Sequence, residues 1–157
     1  VSLTLRDYRP TDAKALAELF YDSVHRSALG PYTQAQLDAW APYPIDHVLW
    51  QRRLDLLRPL VAEQDGAPVG FMTMEPSGLI GLAFTSTEHQ RQGVAQALFD
   101  ALEAKARRQG IHLLTVDASK LAKPFFLKQG FKVTSENQVQ RQGKVLVNWT
   151  MEKSLED

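Results

Sequence analysis

Apolar residues follow two rhythms along this chain, and the points where one gives way to the other mark its elements. Residues 1–6 alternate apolar and polar, the period of a strand. Leu16, Leu19, Phe20 and Val24 then recur at helical spacing, in a helix that Thr11 and Asp12 can cap after Pro10 and that Gly30-Pro31 breaks. Thr33 opens a short helix carrying Leu37 and Trp40, closed by Pro42 and Pro44. Asp46 caps a third helical stretch to about Leu57, with Val48, Leu49 and Leu54 expected on its buried face. Residues 59–63 and 68–75 read as two strands joined at Asp65-Gly66, a hairpin turn pair. Pro76-Ser77-Gly78 turns the chain into a strand at 79–85.

The clearest helical period comes next. Val94, Ala97, Leu98, Ala101, Leu102 and Ala106 share one face, cations crowd the last turn, and Gly110 suits the position after the end. Residues 111–116 form another apolar run, which lies parallel to the earlier strand because a helix crosses over between them. Residues 131–134 and 144–151 look like a terminal antiparallel pair around Arg141-Gln142-Gly143. Trp149, on the last strand, is expected in the core. The expected class is mixed α/β, with no linker or repeat, and one domain over 1–157.

Between the strand at 79–85 and the long helix stands Gln90-Arg91-Gln92-Gly93-Val94-Ala95. A glycine-centred turn that opens a helix leaves backbone N–H groups unpaired and convergent, where the helix dipole adds positive potential. Such a turn binds phosphate without a charged side chain, and Gly93 has no Cβ to keep an anion away. On its own the loop favours the plainer reading, a tight turn that binds nothing.

Two motifs in order change that balance. Gln-x-x-Gly-x-Ala between a strand and a helix resembles the acetyl-coenzyme A signature of the GCN5-related N-acetyltransferases, the GNAT family. The run Ser119-Lys120-Leu121-Ala122-Lys123-Pro124-Phe125-Phe126-Leu127-Lys128-Gln129-Gly130-Phe131 resembles the same family's second signature, about one helix and one strand further on. The wider pattern, from Leu19-Phe20-Tyr21 through Ala39-Trp40-Ala41-Pro42 to Trp50, looks like a YafP-type bacterial branch. The resemblance implies a mostly antiparallel central sheet with a splayed parallel strand pair, flanked by helices. It divides the chain into an acceptor side (1–78), a coenzyme-binding core (79–131) and terminal strands (132–157).

The resemblance also implies acetyl-coenzyme A as cosubstrate. Its pantetheine arm would pair with the strand near Ala83, Phe84 and Thr85, and its pyrophosphate would sit on the loop formed by Gln90, Arg91, Gln92, Gly93, Val94, Ala95 and Gln96. Ser119 stands where many members carry an asparagine that contacts the coenzyme, although serine is also a favoured N-cap. Phe126 stands where many members carry a tyrosine that protonates the departing thiolate. Phenylalanine cannot, so Phe126 reads as pocket wall and core. The expected reaction is direct attack of a primary amine, of a small molecule or a protein, on the thioester. An oxyanion donor would come from the strand amide at Ala83 or Phe84. For the general base the candidates are Glu75, Asp117 and His25. Tyr32 and Trp40 are expected to build the acceptor side, with packing of a short helix as the alternative for Trp40. The competing class is a non-catalytic acyl-coenzyme A-binding module that keeps the fold.

Composition narrows the partners. The 157 residues carry 18 Lys+Arg and 18 Asp+Glu, so no net field favours nucleic acid or an anionic membrane. Without cysteine there is no disulfide, thiolate metal site or cysteinyl intermediate. No His spacing suggests a metal, and the expected location is the cytoplasm. A homodimer is left open, because a partner chain would also account for an apolar face.

Overall fold

The computed structural model describes residues 3–27, 30–89 and 92–156. Strand β1 (Leu3–Asp7) is followed by helices α1 (Ala13–Ser27), α2 (Gln34–Trp40) and α3 (His47–Leu57). Strands β2 (Leu60–Gln64) and β3 (Ala67–Met72) come next, turning through Asp65 and Gly66 at φ of 53° and 81°. Two short strands, β4 (Leu79–Ile80) and β5 (Ala83–Thr85), lead to the long helix α4 (Val94–Arg108). The chain closes with β6 (Leu113–Ala118), α5 (Lys123–Lys128), β7 (Lys132–Arg141) and β8 (Lys144–Ser154).

The strands form two four-stranded sheets, ordered β1-β2-β3-β5 and β4-β6-β8-β7. Pairing is antiparallel throughout except for β4 beside β6. One face of the first sheet, with Val61 and Phe71, packs on Leu16, Phe20, Val24, Leu37, Trp50 and Leu54 of α1–α3. The opposite face, with Ala62 and Met72, joins Val94, Leu98, Phe99 and Leu102 of α4 in a second core that reaches Phe126 and Met151. Trp149 packs partly buried at its margin. Apolar side chains on both faces of one sheet drive this layering. Gly70 sets how closely α4 lies on it: a Cβ there would stand 2.7 Å from Val94 Cγ1 and 3.2 Å from the Phe84 carbonyl.

Several sequence expectations need correcting. The chain enters α1 through a 3₁₀ turn at Pro10–Asp12, and Asp12 faces backwards. Its carboxylate accepts from the Arg9 N–H and from both Nη atoms of Arg6, each at 2.8 Å. Val48 and Leu49 are 65% and 53% exposed, because the inward stripe of α3 is Trp50 and Leu54, four residues apart. The strand at 68–75 stops at Met72, and the run at 79–85 is broken at Gly81-Leu82, its halves joining different sheets. The final helix starts at Lys123, later than Ser119. The terminal hairpin is far longer than expected, since the mostly polar residues 135–140 continue β7. Cross-strand pairing overrides their weak strand propensity: Asn137 Nδ2 donates to Asn148 Oδ1 at 2.9 Å and to Thr150 Oγ1 at 2.8 Å.

Candidate active site

Thr73 makes the break between β4 and β5. Its hydroxyl, 1% exposed as a residue, accepts the Leu82 N–H at 2.9 Å while its own N–H donates to the Leu82 carbonyl at 2.9 Å. A side chain thus closes the ladder where backbone alone would continue it, and the strand changes sheet. Ladder bonds to β3 run through Leu82 and, four residues on, Ser86, whose N–H donates to the Val69 carbonyl at 2.8 Å. Antiparallel strands alternate the direction of their backbone groups, so Phe84 also faces β3 while Ala83 and Thr85 face away. β5 is the edge of its sheet, and among the described residues that outward side has no strand partner.

The free edge leads toward the start of α4. Gly93 precedes the helix at φ 83°, a left-handed conformation that suits glycine, and a Cβ there would meet nothing within 4 Å. The first helical bond runs from the Ala97 N–H to the Gly93 carbonyl at 3.0 Å. The N–H groups of Val94, Ala95 and Gln96 therefore have no acceptor within the helix. The side chain of Gln96 is engaged elsewhere, donating to Gln129 Oε1 at 2.9 Å. Gln92 is exposed, and its side-chain amide donates to the Glu88 carbonyl at 3.3 Å. Gln90 and Arg91 lie outside the described residues.

Between the diverging strands opens a cavity of about 370 Å³. Ile80 to Phe84 and Val116 to Ser119 line it together with Ala122 and Phe126, while Phe20, Tyr32, Trp40 and Arg53 come from the N-terminal helices and the loop between them. Phe126, 1% exposed, packs edge-on against Phe99, Phe125 and Phe131. Ser119 Oγ accepts the Ala122 N–H at 3.2 Å, a capping bond for the turn into α5. Tyr32 is 5% exposed, its ring edge-on to Trp40, and its phenol oxygen accepts the Lys120 N–H at 2.9 Å. Burial pushes the Tyr32 phenol above its ordinary pKa, against the opposing pull of the Lys120 N–H and the Ser119 hydroxyl.

The three base candidates part company here. Asp117 lies on the cavity wall, exposed, with Oδ1 accepting the Thr150 hydroxyl at 2.7 Å. Glu75 is half-buried outside the lining, its Oε2 3.8 Å from where a Cβ on Gly81 would stand. His25 is turned away: its Nε2 donates to the Ala41 carbonyl at 2.8 Å and its ring stacks on Tyr21. Among the described residues no group of three His, Asp or Glu side chains could hold a metal ion. The lining also holds Arg53, Arg141 and Asn148, none of which the sequence singled out. Arg141 reaches the cavity from the end of β7, which runs further than the expected 131–134, and Asn148 reaches it from β8.

Comparison with known proteins gives a consistent picture. A family model described as an acetyltransferase (GNAT) domain matches residues 28–154. The uncharacterized N-acetyltransferase YafP of Escherichia coli K12 is 34% identical over 150 residues, 96% of this chain and 95% of that protein. A crystal structure of a GCN5-related N-acetyltransferase from Rhodopseudomonas palustris superposes with a TM-score of 0.93 at 35% identity, over 99% of this chain and 97% of that one. The acetyltransferase yncA of Salmonella typhimurium, solved with acetyl-CoA, shares the fold with a TM-score of 0.72 at 19% identity, over 100% and 96% of the two chains.

Proposed function

The chain belongs to the GCN5-related N-acetyltransferase family and is an N-acetyltransferase, and from that premise we propose that it transfers the acetyl group of acetyl-coenzyme A directly to a primary amine in a ternary complex. The observation that carries this reading is the partnerless edge of β5, which opens on the cavity and leads to the unpaired amides of α4. The outward groups of Ala83 and Thr85 pair with the pantetheine arm. Gly93 and the N–H groups of Val94, Ala95 and Gln96 receive the pyrophosphate. Ser119 and Phe126 border the thioester end. Residues 79–131 thus form the coenzyme side and 1–78 the acceptor side, to which the terminal hairpin adds a wall.

In this reading the amine nitrogen attacks the thioester carbon and the oxyanion that forms takes a hydrogen bond from the Ala83 N–H. A protonated alkyl amine, with a pKa of about 10.4, cannot attack. Asp117 is the base, favoured over Glu75 and His25 because it alone of the three lies on the cavity wall. The departing thiolate can be helped by a proton, and Phe126 has none to give. Tyr32 stands in: its oxygen accepts from Lys120, and its raised pKa keeps the phenol protonated. Only modest help is required, since a thiol of pKa about 8.5 leaves more readily than an amine.

Isothermal titration tests the coenzyme half of this reading. Acetyl-coenzyme A and desulfo-coenzyme A are expected to bind and free pantetheine to bind far more weakly. Equal affinities for the three would refute the pyrophosphate assignment. Binding without thiol release across a broad amine panel would instead favour a non-catalytic acyl-coenzyme A module.

A further inference from the structure

Two arginines from different elements meet at one cavity. Arg53 projects from α3 and Arg141 from the end of β7, and Val139, Leu146 and Asn148 flank them on the wall. The Arg53 guanidinium stands over the Trp50 ring, 4.9 Å from its centroid, a contact that orients the fork while leaving its N–H groups available. Arg141 donates to the Gln140 carbonyl at 3.2 Å. Among the described residues neither arginine takes part in a salt bridge. Arg6 shows the contrast, since it meets the carboxylates of both Asp12 and Glu63.

The two charges also oppose each other. Arg53 is exposed as a residue, yet enough protein surrounds its guanidinium for burial to lower its pKa, and the positive charge of Arg141 lowers it further. Two cations sharing a wall without a counterion are relieved by an anion that bridges them. The remaining charged side chain of the lining is Asp117. The cavity is therefore bipolar, with two forks that suit a carboxylate or phosphate and one carboxylate that suits an amine.

We propose that Arg53 and Arg141 bind an anionic group, a carboxylate or a phosphate, on the amine acceptor itself. The substrate class is then a primary amine that carries its own anion, such as an amino acid or an amino phosphate ester. This rests on the acetyltransferase reading above. The anion docks on α3 and the hairpin end, elements separate from the α4 amides assigned to the coenzyme, and the amine is left facing Asp117.

The test measures thiol release and, by NMR, binding to the coenzyme-loaded protein, with amine pairs that differ in the anion. β-Alanine is compared with its amide, and phosphoethanolamine with ethanolamine. The charged member of at least one pair is expected to show a kcat/KM or an affinity about tenfold higher or more, weakening as salt rises. Which pair responds separates carboxylate from phosphate. The double variant Arg53→Gln, Arg141→Gln is expected to lose that preference mainly through KM for the amine, while calorimetry gives an unchanged Kd for acetyl-coenzyme A. No difference between charged and neutral members, in turnover and in binding, overturns the proposal. A weakened coenzyme Kd in the double variant overturns it as well, because the arginines would then serve the coenzyme phosphates. Failure of the unsubstituted protein to bind acetyl-coenzyme A defeats the underlying reading, and this proposal with it.

Discussion

The two sides of the cavity are made of different material. The side assigned to the coenzyme is mostly main chain: the outward groups of Ala83 and Thr85 and the amides of Val94, Ala95 and Gln96. The side assigned to the acceptor is side chains, with Tyr32 and Trp40 around α2, Arg53 from α3, and Arg141 and Asn148 from the hairpin. Main-chain recognition depends on conformation, so few residue identities are critical and those few are turn positions. Side-chain recognition depends on identity at several remote positions. A substitution therefore harms the first side by bending it and the second by changing its chemistry.

Gly93→Val is the strongest way to break the conformational side. A β-branched residue at φ 83° is strained by about 1–3 kcal/mol, although a Cβ would touch nothing. Coenzyme affinity in calorimetry is expected to fall about 100-fold or more, whereas Gly93→Asn, which tolerates this conformation, stays within about tenfold. Equal affinities for the two variants would show that conformation is not what matters there.

Tyr32→Phe probes the chemical side. It keeps the ring against Trp40 and removes the proton, so kcat is expected to fall about tenfold at unchanged KM for acetyl-coenzyme A. The sign with pH follows from the raised pKa: the phenol holds its proton past its ordinary value of 10.0 and loses it only above that. The unsubstituted enzyme is expected to lose rate in that alkaline range, and the variant to lack that limb. An identical limb in both would remove Tyr32 from the proton path.

The smallest effect concerns the support of the acceptor side. The Arg6 hydrogen bonds, followed by the Arg9 N–H, outweigh burial and hold the Asp12 carboxyl below its ordinary value of 3.8. A depressed carboxylate stabilises the fold above its unfolded pKa, and this is lost as pH falls through the folded value. Asp12→Asn, with Arg6 still paired to Glu63, is expected to cost about 1 kcal/mol at pH 7, roughly 2–4 °C in Tm. The variant should also lose less Tm on acidification below about pH 4. A parallel acid response in both proteins would place the sensitive carboxylate elsewhere.

What could be read from sequence tracks the same division. The period of α4, the caps at Thr33 and Asp46 and the turn at Asp65-Gly66 are local devices, and each matches the structure. The loop motif needed only a strand, a glycine and a helix in order. By contrast, the break at Gly81-Leu82 depends on Thr73, nine residues before Leu82, whose hydroxyl takes the place of a ladder carbonyl. Val48 and Leu49 were misjudged because apolar type does not fix the rotation of a short helix. Arg53 and Arg141 share a wall only because a polar hairpin folds alongside the helices, which no spacing along the chain encodes. Phe99, 1% exposed at the centre of the aromatic cluster, lay just off the stripe read for α4.

Strand β8 belongs to two structures at once, pairing with β6 along Trp149–Ser154 and with β7 along the hairpin that turns at Gln142-Gly143. Next to the turn, the Gln36 side chain donates to the Val145 carbonyl at 3.0 Å and Leu146 is buried in the core with Leu37, and these two contacts hold the ribbon to α2. Residues 140–145 around the turn are exposed, so inserting or exchanging residues there disturbs little of either core. The ribbon behaves as an interchangeable attachment: on the proposed reading, acceptor preference can diverge by trading its tip while the coenzyme machinery is inherited unchanged.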